Sequence, residues 1–207
     1  MTDHLLSLMT FFPLVGMLVV LFLPKEADRL IKSVTLIFTI IIFLISLPLG
    51  FNDAFIGSSA MHYTEFANWI SIGKYFQMNY HVGIDGISLP MFLLTTILTP
   101  LSILASFGIE KNVKMFMFLF LLMETAMLGL FASMDLIIFF IFWEFGLVPM
   151  YFLIKLWGGA DRDYASFKFF VYTMAGSLGL LLSIQVMGLA TGTFDIIELM
   201  DKWVALD

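Results

Sequence analysis

Two glutamates stand inside otherwise apolar runs: Glu124 in Leu-Leu-Met-Glu-Thr-Ala and Glu144 in Phe-Trp-Glu-Phe-Gly. Met134 lies midway between them, ten residues from each. At about 1.5 Å per helical residue, each carboxyl would sit roughly 15 Å deep, level with the other and near the middle of a hydrocarbon layer about 30 Å thick. Placing an acid there costs on the order of 2.5–3.5 kcal/mol on insertion scales, so something must offset that cost. Desolvation favours the protonated carboxyl and a nearby cation the ionised one, so a moving partner would switch its proton affinity. The chemistry that fits is the holding and release of a proton. The plainer alternative is a protonated carboxyl bonded to a neighbouring helix, and it stays open for both residues, more so for Glu124.

Lys168 opens the last long apolar run, where it either relays protons from Glu144 or snorkels its ammonium to the membrane surface. Tyr172, Thr173, Ser177 and Gln185 follow as a polar seam, with Gly176 and Gly179 allowing close helix packing. Pro149, five residues after Glu144, removes one backbone donor and frees the carbonyl near Phe145. Pro90 and Pro100 carry the same two readings, a loosened helix or an ordinary membrane-helix proline. Asp85 and Asp135 precede apolar runs and read as helix caps. His4, His62 and His81 show no ligand spacing, so no metal site is expected.

The elements that must position these residues are membrane spans. Of the 207 residues 61% are hydrophobic and 13% charged, against about 25% charged in a soluble domain. The mean hydropathy is +1.02. The net charge of −6 says little about soluble partners, because several carboxylates lie inside apolar runs, and no basic tract points to nucleic acid. There is no cysteine, which excludes disulfides and cysteine-held iron–sulfur clusters on these residues. Neither a dinucleotide fingerprint nor a phosphate-binding loop is present. The N-terminus lacks the basic start and cleavage site of a signal peptide, so the first run is expected to be a retained span.

Six runs are long enough to cross a bilayer: approximately Leu5–Leu23, Ser33–Leu49, Ile87–Phe107, Met115–Ala132, Leu136–Leu156 and Ala165–Ala190. The sequence predicts an all-α integral membrane protein. Residues 1–49 hold helices one and two, 50–86 an extramembrane hairpin or interfacial ribbon, 87–190 helices three to six, and 191–207 a second extramembrane piece. Eight of the ten basic residues (Lys25, Arg29, Lys32, Lys111, Lys114, Lys155, Arg162 and Lys168) fall at one set of connections, leaving Lys74 and Lys202 on the other side. The positive-inside rule puts the eight in the cytoplasm and the N-terminus outside.

Phe-Trp-Glu-Phe-Gly-Leu-Val-Pro-Met-Tyr-Phe-Leu-Ile (142–154) resembles the helix-five signature of subunit M of bacterial complex I, called subunit 4 in mitochondria and chloroplasts. Val82-Gly-Ile-Asp-Gly-Ile-Ser-Leu, Lys168-Phe-Phe-Val-Tyr-Thr-Met-Ala-Gly-Ser-Leu and Thr191-Gly-Thr-Phe-Asp resemble the same family in the same order. The resemblance implies a proton-translocating subunit in which Glu144 pairs with a lysine of helix seven, with Glu124 and Lys168 along the polar axis. It implies about fourteen helices containing inverted repeats, of which this sequence would be the first six, ending before helix seven. It also implies that NADH, FMN, iron–sulfur clusters and quinone belong to partner subunits, with no cofactor on this chain. The expected partners are other membrane-arm subunits, especially neighbouring antiporter-like ones, and the bilayer, in a bacterial inner membrane. Two rival readings remain: a subunit of a related cation/proton antiporter or membrane-bound hydrogenase, and a non-transporting scaffold.

Overall fold

The computed structural model describes residues 4–51, 61–72 and 76–204; Lys74 and the extreme C-terminus lie outside the described residues. Six helices are long and apolar enough to cross a membrane: α1 Leu5–Phe22, α2 Asp28–Gly50, α3 Ser88–Ala105, α4 Val113–Ala132, α5 Leu136–Trp157 and α6 Arg162–Thr191. A short helix, α7, spans Ile196–Val204. Between α2 and α3, β1 (His62–Ile72) pairs antiparallel with β2 (Phe76–Ile84). The protein is an all-α membrane bundle with this ribbon across one end, called here the hairpin end.

Local chemistry sets the boundaries. Pro24 follows the last turn of α1, where a ring lacking an N–H cannot continue the helix. Asn112 takes a left-handed φ of 51° before α4, and Gly192, at φ 73°, stops α6. Asp135 caps α5, accepting hydrogen bonds from the backbone N–H of Ile137 and Ile138. Asp85 does the same for α3 through Ile87 and Ser88.

The second helix starts at Asp28 rather than near Ser33, which brings Lys32 inside it. The reason is tertiary. The buried Nζ of Lys32 donates to the carbonyls of Phe107 (2.8 Å) and Ile109 (2.7 Å) where α3 ends. Lys114 likewise reaches the carbonyls of Leu21 (2.7 Å) and Leu23 (2.8 Å) at the end of α1. Each ammonium satisfies carbonyls at or just past a helix C-terminus, on the side of the negative end of the helix dipole. The sixth helix also begins earlier than its apolar run suggests, at Arg162, because Asp163 and its neighbours form a polar first turn.

Three apolar clusters fill the bundle. At the hairpin end Leu6 and Met9 of α1 join Ile42, Leu49, Phe92, Leu128 and Ala132. At the opposite end Val20, Ile31 and Ile103 join Val113, Met117 and Leu121. The third ties α5 to α6 through Ile137, Ile138, Phe142, Ile184 and Phe194. The ribbon is anchored to the α4–α5 turn by Met134 N–H to the His81 carbonyl (2.8 Å), and the same turn is tied to the α6–α7 connection by Leu136 N–H to the Phe194 carbonyl (2.9 Å) and Ile196 N–H to the Met134 carbonyl (2.8 Å).

Candidate functional site

The packing of α4 on α5 decides which way the two glutamates look. A Cβ built on Gly129 would lie 2.3 Å from the Phe142 ring, and one on Gly146 would lie 3.5 Å from Cβ of Ala126. Ala126 and Gly129 therefore face α5. Glu124 is two residues from one and five from the other, which places it about 140–160° around the helix. It shares a stripe with Met117, Leu121 and Leu128, whose clusters are built with α1, α2 and α3. Its carboxyl is enclosed there: the residue is 1% exposed, and neither oxygen has a hydrogen-bond partner among the described residues.

Glu144 turns the other way. Phe142 and Gly146, two residues to either side, face α4, so Glu144 sits about 160° from that contact. It belongs to the stripe Phe140, Leu147, Tyr151. Phe140 packs on the α5–α6 cluster, and the Tyr151 ring meets Phe170 of α6 at 5.5 Å. Its Oε1 is buried without a partner, while the residue as a whole is only partly buried. Seven residues along each antiparallel helix from the Tyr151–Phe170 contact, Glu144 comes level with the buried Ser177. The Ser177 hydroxyl donates to the Met174 carbonyl at 3.1 Å, which leaves its oxygen as an acceptor.

The two carboxyls are thus neither level nor facing. Glu124 lies on the far side of the Ala126–Gly146 contact from the α4–α5 turn and Glu144 on the near side, an axial offset of about 6 Å. This corrects the expectation of a level pair, which counted residues from Met134 without knowing the helix faces.

Lys168 is exposed, with its Nζ 5.4 Å from the Tyr164 ring centroid and 5.8 Å from that of Tyr172. It lies about 160–180° around α6 from Phe170 and Ser177, and about 14 Å along the axis from the level of Glu144. Within these six helices it does not meet Glu144. The polar seam divides in the same way: Thr173 and Ser177 lie on the stripe toward α5, Tyr172 on the Lys168 face. Gly176 and Gly179 have no described neighbour within 4 Å of a built Cβ. Pro149 is buried in α5.

Sequence reasoning passed over two acids at the hairpin end. The buried Glu65 of β1 accepts from the backbone N–H of Leu6 (2.7 Å) and Ser7 (3.1 Å) and from the Ser7 hydroxyl, capping α1. Ser7 also bonds the Tyr80 hydroxyl at 2.7 Å. Burial pushes the Tyr80 phenol up, opposed by the Ser7 bond and reinforced by the Glu65 charge. The buried Asp195 accepts from His81 Nδ1 and from the backbone N–H of Ile197 and Glu198. Burial raises the Asp135 carboxyl; three backbone N–H groups oppose the rise, and the Asp195 charge adds to it. Glu65 had a local signal only as an acid in a strand flanked by aromatics; its partner is 58 residues away. Among the described residues no group of three metal-ligating side chains converges.

Two family models match in succession. One, described as NADH-ubiquinone oxidoreductase chain 4, amino terminus, covers residues 7–132. The other, NADH:quinone oxidoreductase/Mrp antiporter, covers residues 133–205. The chain is 41% identical over 204 residues to NADH-quinone oxidoreductase subunit M of Rhodobacter capsulatus, covering 96% of this chain and 38% of that protein. It is 38% identical over 196 residues to NADH-ubiquinone oxidoreductase chain 4 of Marchantia polymorpha, covering 92% and 38%. Respiratory complex I from Thermus thermophilus with bound NADH superposes with a TM-score of 0.77 at 27% identity, covering 95% of this chain and 39% of the matched one. The Mrp complex from Dietzia shares the fold, with a TM-score of 0.73 at 17% identity, covering 96% and 20%. The chain spans about 38% of the length of the curated relatives it matches.

Proposed function

We propose a role in proton translocation from the premise that this chain belongs to the NADH-ubiquinone oxidoreductase chain 4 family. In this reading it works in the membrane arm of an NADH:quinone oxidoreductase, beside other antiporter-like subunits. NADH oxidation and quinone reduction run on partner subunits that hold the FMN and iron–sulfur clusters. Glu144 takes up a proton when its surroundings favour the neutral acid and gives it up when a cation approaches, the part assigned by resemblance to a lysine of helix seven.

One observation carries this reading: Glu144 presents a buried, unpartnered carboxylate oxygen on the α5–α6 stripe, inside a membrane span. An ionisable group kept there against the cost of desolvation is functional by default. The buried Ser177 hydroxyl of α6 lies at the same level. The basic connections between α1 and α2, α3 and α4, and α5 and α6 then lie in the cytoplasm of a bacterial inner membrane, with the hairpin end outside.

The test is Glu144→Gln in the assembled enzyme, with proton release and NADH:quinone turnover measured together in sealed vesicles. Loss of proton release per NADH is expected. Full release at normal turnover would overturn the reading. A cation/proton antiporter is the second reading, favoured by the family model shared with Mrp antiporters. Sodium-linked transport in a preparation free of redox subunits would select it.

A further inference from the structure

Glu124 has no part in the seam that holds Glu144, and its surroundings are polar in a particular way. The buried stripe of α2 carries Thr35, Thr39 and Ser46, and that of α3 carries Thr96. Leu128 and Phe92 share the hairpin-end cluster, and Met117 and Ile103 the opposite one, so the antiparallel register of α3 on α4 brings Thr96 level with Glu124. The same clusters place Ile42 with Leu128 and Ile31 with Met117, which brings Thr39 to that level on α2. Leu6 and Met9 with Leu128 and Ala132, and Val20 with Val113, bring Thr10 of α1 within about a turn of it.

These hydroxyls fall into two kinds. Thr39 donates to the Leu36 carbonyl (3.0 Å), which leaves its oxygen as an acceptor, whereas Thr96 bonds both the Leu93 carbonyl (2.9 Å) and the Ser46 hydroxyl (2.8 Å). Thr10 and Thr125 are buried with hydroxyls unpartnered among the described residues, so their protons are free to be donated. Acceptors suit a neutral carboxylic acid, and donors suit a carboxylate. The level of Glu124 thus carries several buried hydroxyls, none of them hydrogen-bonded to its carboxyl among the described residues.

We propose that Glu124 is the proton-holding group of a second buried site, enclosed by α1–α4 and separate from Glu144, with access from the hairpin end past Thr125. Thr125 lines a cavity of about 510 Å³ between α1, α4, α5 and the ribbon, together with Ser7 and Tyr80. From Ser7 the hydrogen bonds run on to Glu65, and His4 Nδ1 at the surface lies 3.7 Å from that carboxylate. Among the described residues, the charged side chain on the enclosing stripes besides Glu124 is Lys32, at the opposite end with its Nζ on two carbonyls. The proton leaving the Glu124 carboxyl passes the Thr125 hydroxyl toward the Ser7–Glu65 group at the hairpin end and returns the same way. The proposal rests on the chain working in a proton-translocating enzyme, but not on the role of Glu144.

Infrared difference spectroscopy of the assembled enzyme, resting against turning over, tests it. A carboxyl carbonyl band that changes on turnover is expected to vanish in Glu124→Gln, to remain in Glu144→Gln and to return shifted in Glu124→Asp. Thr125→Val is expected to keep the band and slow its hydrogen–deuterium exchange at least several-fold. If no turnover-dependent band is lost in Glu124→Gln, the group is a static hydrogen-bonded acid and the proposal fails. If Glu144→Gln removes the same band, the two acids form one site and it fails as well. Unchanged exchange in Thr125→Val overturns the route. Full pumping by Glu144→Gln would refute the Glu144 role while leaving the Glu124 band untouched, so the two failures are distinct.

Discussion

The missing side chain of Gly129 is the space that the ring of Phe142 occupies: a Cβ there would fall 2.3 Å from the ring. That contact fixes how α4 lies on α5, and so why Glu124 and Glu144 look in opposite directions. Gly129→Ala should force the ring or the helix to shift and destabilise the pair by about 1–3 kcal/mol, as overpacking does. Gly146→Ala, which meets only Cβ of Ala126 at 3.5 Å, should be tolerated. Thermal unfolding of the detergent-solubilised enzyme carrying each variant checks the contrast.

The hairpin end should respond to pH in two opposite senses. Burial raises Asp85, but the backbone N–H groups of Ser88 and Ile87 and the Ser88 hydroxyl outweigh it, and the carboxyl titrates below its ordinary range. A depressed acid contributes stability that is present above the ordinary aspartate pKa and is lost as pH falls through the lowered one. Acid should therefore fray the start of α3, and Asp85→Asn should retain most of the cap without that dependence. Asp135 is raised, so its contribution is present at low pH and fades as pH rises through the raised value. Hydrogen exchange at the first turns of α3 and α5, followed against pH, reports both.

Glu65 holds the first turn of α1 from another element. Glu65→Ala leaves the N–H groups of Leu6 and Ser7 without their carboxylate, a loss of about 1–3 kcal/mol for a charge-assisted pair. Glu65→Gln keeps an acceptor and should lose less. Protease cleavage near residue 5 in membranes, compared among wild type and both variants, measures the difference.

His81 and Asp195 join β2 to the turn before α7. Removing the imidazole in His81→Ala should free that turn while leaving Asp195 to cap Ile197 and Glu198. Faster amide exchange over 193–204, with α5 unchanged, is the expected outcome. Asp195→Ala removes both roles and should loosen α7 more.

The spans were legible because lipid demands apolar length, and that demand is written in single stretches of chain. Asp85 and Asp135 were readable as caps, since the groups they satisfy lie two or three residues away. The start of α2 was missed because Lys32 looks like a surface charge until the carbonyls of Phe107 and Ile109 are brought to it. Lys168 was placed on the right helix, but its side was unknown.

Sequence alone determined that two acids enter the membrane on neighbouring helices, and that a helix-five motif of one family surrounds Glu144. It could not say that the acids stand back to back. Depth follows from counting residues along one helix, which is a local quantity. Facing depends on which small residue meets which ring across the helix interface, and Gly129 and Phe142 meet only once α4 and α5 have packed.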